Sequence, residues 1–245
     1  MDQWPYPRWI AHRGAGKLAP ENTLAAFRLG ASHGYRMFEC DVKLSADGVP
    51  FLLHDDTLER TTDGSGNAAA LPWSSLEKFD AGNWHSPAFA GEPLASLASV
   101  AHYCRANNYF LNIEIKPSPG MEAVTGTAVA NAVAELWQGA GTPPLLTSFQ
   151  TESLRAALLA QPQLPCGLLL DKLPDGWLQT ALGLACVAVV CNYRLWDEAS
   201  VQATKNAGLR ALNYTVNHEA AVQRLLDLGT DGIITDRVDL FRPDA

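Results

Sequence analysis

Met37-Phe38-Glu39-Cys40-Asp41-Val42-Lys43-Leu44 alternates an apolar set, Phe38, Cys40 and Val42, with two carboxylates, Glu39 and Asp41. Successive side chains of a β-strand point to opposite faces, so the apolar set covers one face and the acids share the other. The same split recurs in Asn112-Ile113-Glu114-Ile115-Lys116, where Ile113 and Ile115 lie opposite Asn112, Glu114 and Lys116. Further short apolar runs lie at 9–12, 145–149, 166–170, 187–192, 210–217 and 232–235, and with 37–44 and 109–116 they make eight. Between them lie segments of helical spacing, such as Leu24, Phe27 and Ala31, or Leu154, Ala157 and Leu158. Alternation of this kind predicts parallel strands joined by crossover helices. Eight units in 245 residues predict an α/β fold, a (β/α)8 TIM barrel, as a single domain over 1–245. An open doubly wound sheet is the alternative, since periodicity alone does not show closure.

A ninth run, Phe51-Leu52-Leu53-His54, follows Asp47-Gly48, a strong hairpin dipeptide, and is predicted to return antiparallel to 37–44. With Asp47 and Gly48 as the two loop residues, Leu44 opposes Phe51 and Asp41 opposes His54, placing His54 on the acid face. Residues 55–95 then carry few strand or helix signals and are too long for an ordinary connection. They are predicted to be an insertion over the barrel mouth, with Trp73, Phe79, Trp84 and Phe89 forming its own small core.

Composition narrows the function. With 47% hydrophobic residues the chain builds a full core, and 18 Lys+Arg against 26 Asp+Glu give a net charge of −8. No basic patch is visible, which argues against a nucleic-acid partner. The Met1-Asp2-Gln3-Trp4 start lacks a cationic stretch followed by an apolar one, and no run of about 18 apolar residues occurs. The expectation is a cytoplasmic protein without stable membrane association. Cys40, Cys104, Cys166, Cys186 and Cys191 are odd in number, scattered and mostly set in apolar runs, as reduced buried thiols are. Nothing in the sequence reveals an oligomeric state.

Glu39, Asp41 and Glu114, delivered inward near the ends of two strands, would repel one another and suffer desolvation unless protonated or neutralised. A divalent cation resolves the conflict, and all-oxygen ligands favour Mg2+, Ca2+ or Mn2+ over zinc; pairing with Arg or Lys is the alternative. His12 closes the first strand, and both it and His54 fall at the acid-rich mouth, where imidazoles suit general acid and base work. No such argument applies to His33, His85, His102 or His218, although His85 falls in the insertion. Arg13 and Lys116 bring positive charge suited to a phosphate or carboxylate, or else pair with Glu39 or Glu114. Gly14-Ala15-Gly16 is no nucleotide-binding fingerprint, and a Gly-x-Ser-x-Gly elbow is lacking.

His12-Arg13-Gly14, Pro20-Glu21-Asn22-Thr23, Glu39-Cys40-Asp41-Val42, His54-Asp55, Leu58 to Thr62, Asn112 to Lys116, Ser148-Phe149, Tyr214 to Asn217 and Gly232 to Asp236 together resemble the glycerophosphodiester phosphodiesterase family. The match is ordered and spans nearly the whole chain. The resemblance implies a TIM barrel with an insertion after the second strand, and hydrolysis of a small-molecule glycerophosphodiester to glycerol 3-phosphate and an alcohol. It implies Glu39, Asp41 and Glu114 as ligands of one dication, and His12 and His54 as the acid/base pair; the order, His12 as first base and His54 as acid, is a preference that the sequence does not decide. Arg13 and Lys116 correspond to phosphate contacts, and Glu21 and Asn22 to supporting residues. Lys43, Tyr214 and Val238 depart from the residues common at their positions. A related lysophospholipase D-type enzyme, with an apolar rim on the insertion, and a non-catalytic phosphodiester-binding protein are the rival readings.

Overall fold

Strands buried on both faces read as near-continuous apolar runs, and the computed structural model places such runs side by side. It describes residues 4–243; the leader reading at Met1 to Gln3 lies outside them, as do the last two residues. The strands are β1 (Trp9–Ala11), β2 (Met37–Leu44), β3 (Pro50–Leu52), β4 (Phe110–Ile115), β5 (Leu145–Ser148), β6 (Cys166–Leu170), β7 (Ala188–Asn192), β8 (Arg210–Tyr214) and β9 (Gly232–Thr235). All except β3 run parallel in one sheet, and β1 pairs with both β9 and β2. The sheet is therefore a closed eight-stranded barrel, and the open doubly wound alternative falls. Helices α1 (Leu24–Ser32), α2 (Trp73–Leu76), α3 (Leu97–Ala106), α4 (Glu122–Leu136), α5 (Thr151–Ala160), α6 (Trp177–Gly183), α7 (Glu198–Asn206) and α8 (Glu219–Asp227) fill the connections. Thr23 caps α1 through the Ala26 N–H, and Asp197 with Ser200 forms a capping box on α7. The strand expected over 210–217 stops at Tyr214, and the chain beyond it carries Asn217 to the barrel mouth.

Two apolar clusters follow from the alternation. Phe38, Cys40, Val42, Ile113 and Ile115 face the helices in the large outer cluster. Ile10, Met37, Leu145, Leu169, Val190, Leu212 and Ile234 fill the barrel, with Tyr6 packed against them. Toward the strand C-termini the filling changes to Glu39, Asp41, Asn112, Glu114 and Thr147, so one end of the interior is polar.

The hairpin differs from its predicted register by one residue. Pairs are Val42 with Leu52, Lys43 with Phe51 and Leu44 with Pro50. The loop has three residues, Ala46 to Gly48: Ser45 N–H donates to Val49 O at 3.1 Å, and Gly48, at φ +80°, donates back to Ser45 O at 3.0 Å. Glycine in the left-handed conformation accommodates the extra residue that a two-residue turn would omit. Asp41 consequently meets Leu53, whose N–H bonds its carbonyl at 3.1 Å, and not His54. Val42 and Leu52 then share the outer cluster, while Phe51 and Leu53 join Leu58, Ala68, Leu76, Ala81 and Leu94 in a third cluster under the 55–95 segment. Of the four aromatics expected to build that cluster, Trp73 and Phe79 do, whereas Phe89 packs on the barrel's outer cluster. Trp84 is 40% exposed and donates its indole N–H to Ala81 O. All five cysteines are buried and free. Among the described residues no helix is long and apolar enough to cross a membrane.

Candidate active site

Side chains from β2 and β4 converge at the polar end of the barrel. Asp41 pairs with Glu114 in the ladder and Glu39 with Asn112, and one carboxylate oxygen from each of Glu39, Asp41 and Glu114 lies within 4.8 Å of the others. Their compensation is unequal. Asp41 accepts from Asn22 Nδ2 at 2.9 Å and lies 3.2 Å from both Arg13 Nε and Lys116 Nζ. Burial would raise its pKa, but Arg13 and Lys116 hold it below the usual carboxylate range. Glu114 has Lys116 Nζ at 3.0 Å, yet burial and the charge of Asp41 push it up. Among the described residues Glu39 receives only the Arg13 backbone N–H, at 3.1 Å, with His12 Nε2 3.8 Å away. Burial, then the negative charge of Asp41, push it up to about 8. The cluster is short of positive charge at Glu39, and its donors are all hard oxygens, so the residues present fit a divalent cation.

Both predicted histidines reach this cluster, each steadied by an aspartate. His12 Nδ1 lies 2.6 Å from Asp236 Oδ1, and Asp236 is itself held by Asn217, which donates from Nδ2 at 2.7 Å and accepts the Asp236 N–H at 2.9 Å. His12 is the residue after β1 and Asp236 the residue after β9, so neighbouring strands bring them together. His54 Nδ1 lies 2.7 Å from Asp55 Oδ1. Arg60 clasps both Asp55 and Glu21, and Glu21 also accepts from Arg13. Burial lowers the His12 pKa, but the Asp236 hydrogen bond and the Glu39 charge outweigh it and the net shift is upward. For His54 burial wins and the pKa falls.

Every residue singled out from the sequence is present in one group, although Arg13 and Lys116 engage carboxylates: Arg13 with Glu21 and Asp41, Lys116 with Asp41 and Glu114. Asn22, at φ +60°, braces Asp41 by bonding both its side chain and its N–H. Lys43 is buried and neutralised by Asp56 at 2.6 Å, so it adds no free charge at the mouth. His85 bonds the Lys17 carbonyl. Two spaces open from the cluster. An inner pocket of about 200 Å³ is lined by His12, Glu39, His54, Asn112, Thr147 and Tyr214, among others. A wider cavity of about 600 Å³ lies beside His54, Asp56, Glu114, Lys116, Phe149 and Gln150.

Sequence reasoning did not assign Asp236, Asp55, Asn217 or Arg60 their parts. Asp55 follows His54 directly, and Asp236 ends the strand that must neighbour β1 in a closed barrel, so both had a readable signal. Arg60 reaches Glu21 across the surface between two loops, and no spacing announces it.

Gly16 makes the His12–Asp236 pair possible. It has φ +57°, and a Cβ there would lie 2.2 Å from Asp236 Cα. Gly16→Ala is expected to cost ~2 kcal/mol or more, from the left-handed backbone and the displaced neighbour together. Chemical denaturation reads the loss, and a denaturation midpoint equal to that of the unaltered chain would contradict the packing described.

A family model described as the glycerophosphoryl diester phosphodiesterase family matches residues 12–240. The chain belongs to this family. A glycerophosphodiester phosphodiesterase of Caldanaerobacter subterraneus is 33% identical over 232 residues, covering 93% of each chain. A putative glycerophosphodiester phosphodiesterase of Bacillus subtilis is 30% identical over 242 residues, covering 96% of this chain and 97% of its own. Among solved structures, that of an Oleispira antarctica phosphodiesterase in complex with the product sn-glycerol-3-phosphate superposes with a TM-score of 0.88 and 32% identity. It covers 94% of this chain and 93% of its own. The family match starts at His12 and runs past Asp236, so it contains both imidazole–aspartate pairs and the three-carboxylate cluster.

Proposed function

We propose that this glycerophosphoryl diester phosphodiesterase family member hydrolyses glycerophosphodiesters to sn-glycerol 3-phosphate and an alcohol, with His12 and His54 as its acid/base pair. The observation that carries the reading is the pair of carboxylate-backed imidazoles beside three clustered carboxylates in one barrel mouth. The Oleispira relative bound to its product supports it. Glu39, Asp41 and Glu114 would hold one dication, Mg2+, Ca2+ or Mn2+, which when bound supplies positive charge against the phosphate oxygens.

The chain's own groups do the remainder. Arg13 and Lys116 line the inner pocket beside the carboxylates, and Lys116 lines the wider cavity as well; their charge favours the phosphate and the negative charge that grows on it in the transition state. His12 lines the inner pocket alone, whereas His54 lines the inner pocket and the wider cavity. With the glycerol moiety inside and the departing alcohol outside, His12 takes the proton from the attacking oxygen and His54 gives one to the alkoxide. Without that proton an alkoxide leaves poorly. Asp236 and Asp55 fix the rings by accepting from Nδ1–H, leaving Nε2 for the proton in transit. A reducing compartment, the cytoplasm, suits five buried free thiols.

The test is release of sn-glycerol 3-phosphate from glycerophosphocholine by the purified chain in Mg2+, with a parallel assay on lysophosphatidylcholine vesicles. Turnover of the soluble diester with little on vesicles is expected, because Trp73, Phe79 and Phe89 are half-buried against the hydrophobic clusters and only Trp84 of the four aromatics is exposed. Vesicle turnover exceeding that of the soluble diester would favour the lysophospholipase D-type reading, and binding without turnover a non-catalytic one.

A further inference from the structure

The inner pocket contains an amide whose donor is unused. Asn112, on β4 beside Glu39, is 1% exposed. Thr147 Oγ1, on the adjacent strand, has two acceptors in reach, Asn112 Oδ1 at 2.9 Å and Ile113 O at 3.5 Å; the shorter bond takes its single hydrogen and sets the amide's orientation. Asn112 Nδ2 then has no hydrogen-bond partner among the described residues. Buried amide donors are almost always paired, and an unpaired one in a binding pocket is a group held ready for a ligand's acceptor. Its surroundings narrow what that acceptor is. Leu169 and Ile234 line the same pocket and offer no polar atom, and the Tyr214 hydroxyl is occupied in a 3.0 Å bond to Leu170 O. A volume of about 200 Å³ suits a short polyol chain better than a bulky alcohol. A phosphate's charge is met by Arg13 and Lys116, which line the same pocket, so the amide is left for a neutral oxygen.

We propose that Asn112 Nδ2 donates to a hydroxyl oxygen of the substrate's glycerol moiety, making Asn112 the residue that selects glycerol-bearing diesters over those of hydroxyl-free alcohols. This rests on the function proposed above and adds a specificity determinant to it. Thr147 is the positioning residue: its hydroxyl occupies Oδ1 so that the donor face remains for the ligand. A ligand that lacks the hydroxyl leaves Nδ2 buried and unpaired, and so is disfavoured twice over, by the missing bond and by the stranded donor.

Titration calorimetry in Mg2+ with sn-glycerol 3-phosphate and with propyl phosphate, which has the same phosphate and chain length but no hydroxyl, isolates the contact. The unaltered protein is expected to prefer glycerol 3-phosphate by about tenfold. In Asn112→Ala the preference falls to near one, while the Kd for propyl phosphate stays the same. A general disturbance of the pocket would weaken both ligands together, and that result, or an unchanged preference, overturns the proposal. Because Asn112 is buried, Thr147→Val serves as a second variant that keeps the volume and frees the amide to rotate. It too should lose preference without losing propyl phosphate, and retention of the full preference in a folded Thr147→Val protein counts against the proposal. If the unaltered chain releases no glycerol 3-phosphate from glycerophosphocholine, the functional reading itself fails. If it does so and neither variant changes the preference, only the role of Asn112 fails.

Discussion

His54→Ala and His12→Ala should each lower turnover of glycerophosphocholine by on the order of 10² or more, the range over which one positioned proton-transfer group accelerates a reaction. Both proteins should still fold, because neither imidazole is a core residue: their side chains are 18% and 31% exposed for His12 and His54. The two losses differ in kind, which makes the assignment of acid and base testable. A p-nitrophenyl diester of glycerol phosphate has a leaving group that departs without a proton, so His54→Ala should regain most of its activity on it, whereas His12→Ala should not. Asp236→Asn should share part of the His12 defect, since an amide offers one acceptor oxygen where the carboxylate offers two, one to His12 Nδ1–H and one to Asn217 Nδ2. Equal rescue of both histidine variants by the activated substrate would exclude the separation of roles, and undiminished turnover in both would exclude the pair.

How far the sequence anticipated this site depends on how local each feature is. The alternation in 37–44 and 112–116 is set by strand geometry alone, and it placed Glu39, Asp41, Asn112 and Glu114 on the inner face without knowledge of any partner. Closure of the barrel is a long-range property, decided by β1 meeting β9, and repetition of strands and helices suggests it without proving it. His54 was expected at the mouth for the wrong local reason. The turn has three residues, the register slips by one, and it is the bend after Leu53 that takes His54 to the mouth. Ion pairs were least legible. Whether Arg13 meets a phosphate or Glu21 and Asp41 depends on loops whose course no periodicity encodes, and Arg60, which joins Glu21 to Asp55, comes from the segment with the weakest signals.

Chelation should silence the enzyme and Mg2+ should restore it, and Glu39→Gln should lower kcat/KM by on the order of 10³ or more even in saturating Mg2+, because a bound dication contributes several kcal/mol against developing phosphate charge. Glu39 is the sharper choice of the three carboxylates, since Asp41 and Glu114 are already partnered by Lys116, whereas among the described residues Glu39 has no lysine or arginine side chain paired with it, only His12 Nε2 at 3.8 Å. The same asymmetry sets a stability signature. With the chain free of metal, the Glu39 carboxyl is pushed up to about 8, by burial and then by Asp41. Its folded form therefore holds a proton that the unfolded chain has released, so folding stability falls as pH rises from the ordinary glutamate range towards 8. Added Mg2+ should offset that fall and raise Tm, as a ligand that binds only the folded state must. In Glu39→Gln no carboxyl remains to titrate, so the metal-free protein should lose this part of the pH dependence and gain less Tm from Mg2+. Thermal scans from pH 5 to pH 8, with and without the ion, give both readings. If Glu39→Gln matches the unaltered chain in its Mg2+-induced Tm gain and in its kcat/KM, Glu39 belongs to no metal site and the charge deficit at the cluster must be met in another way.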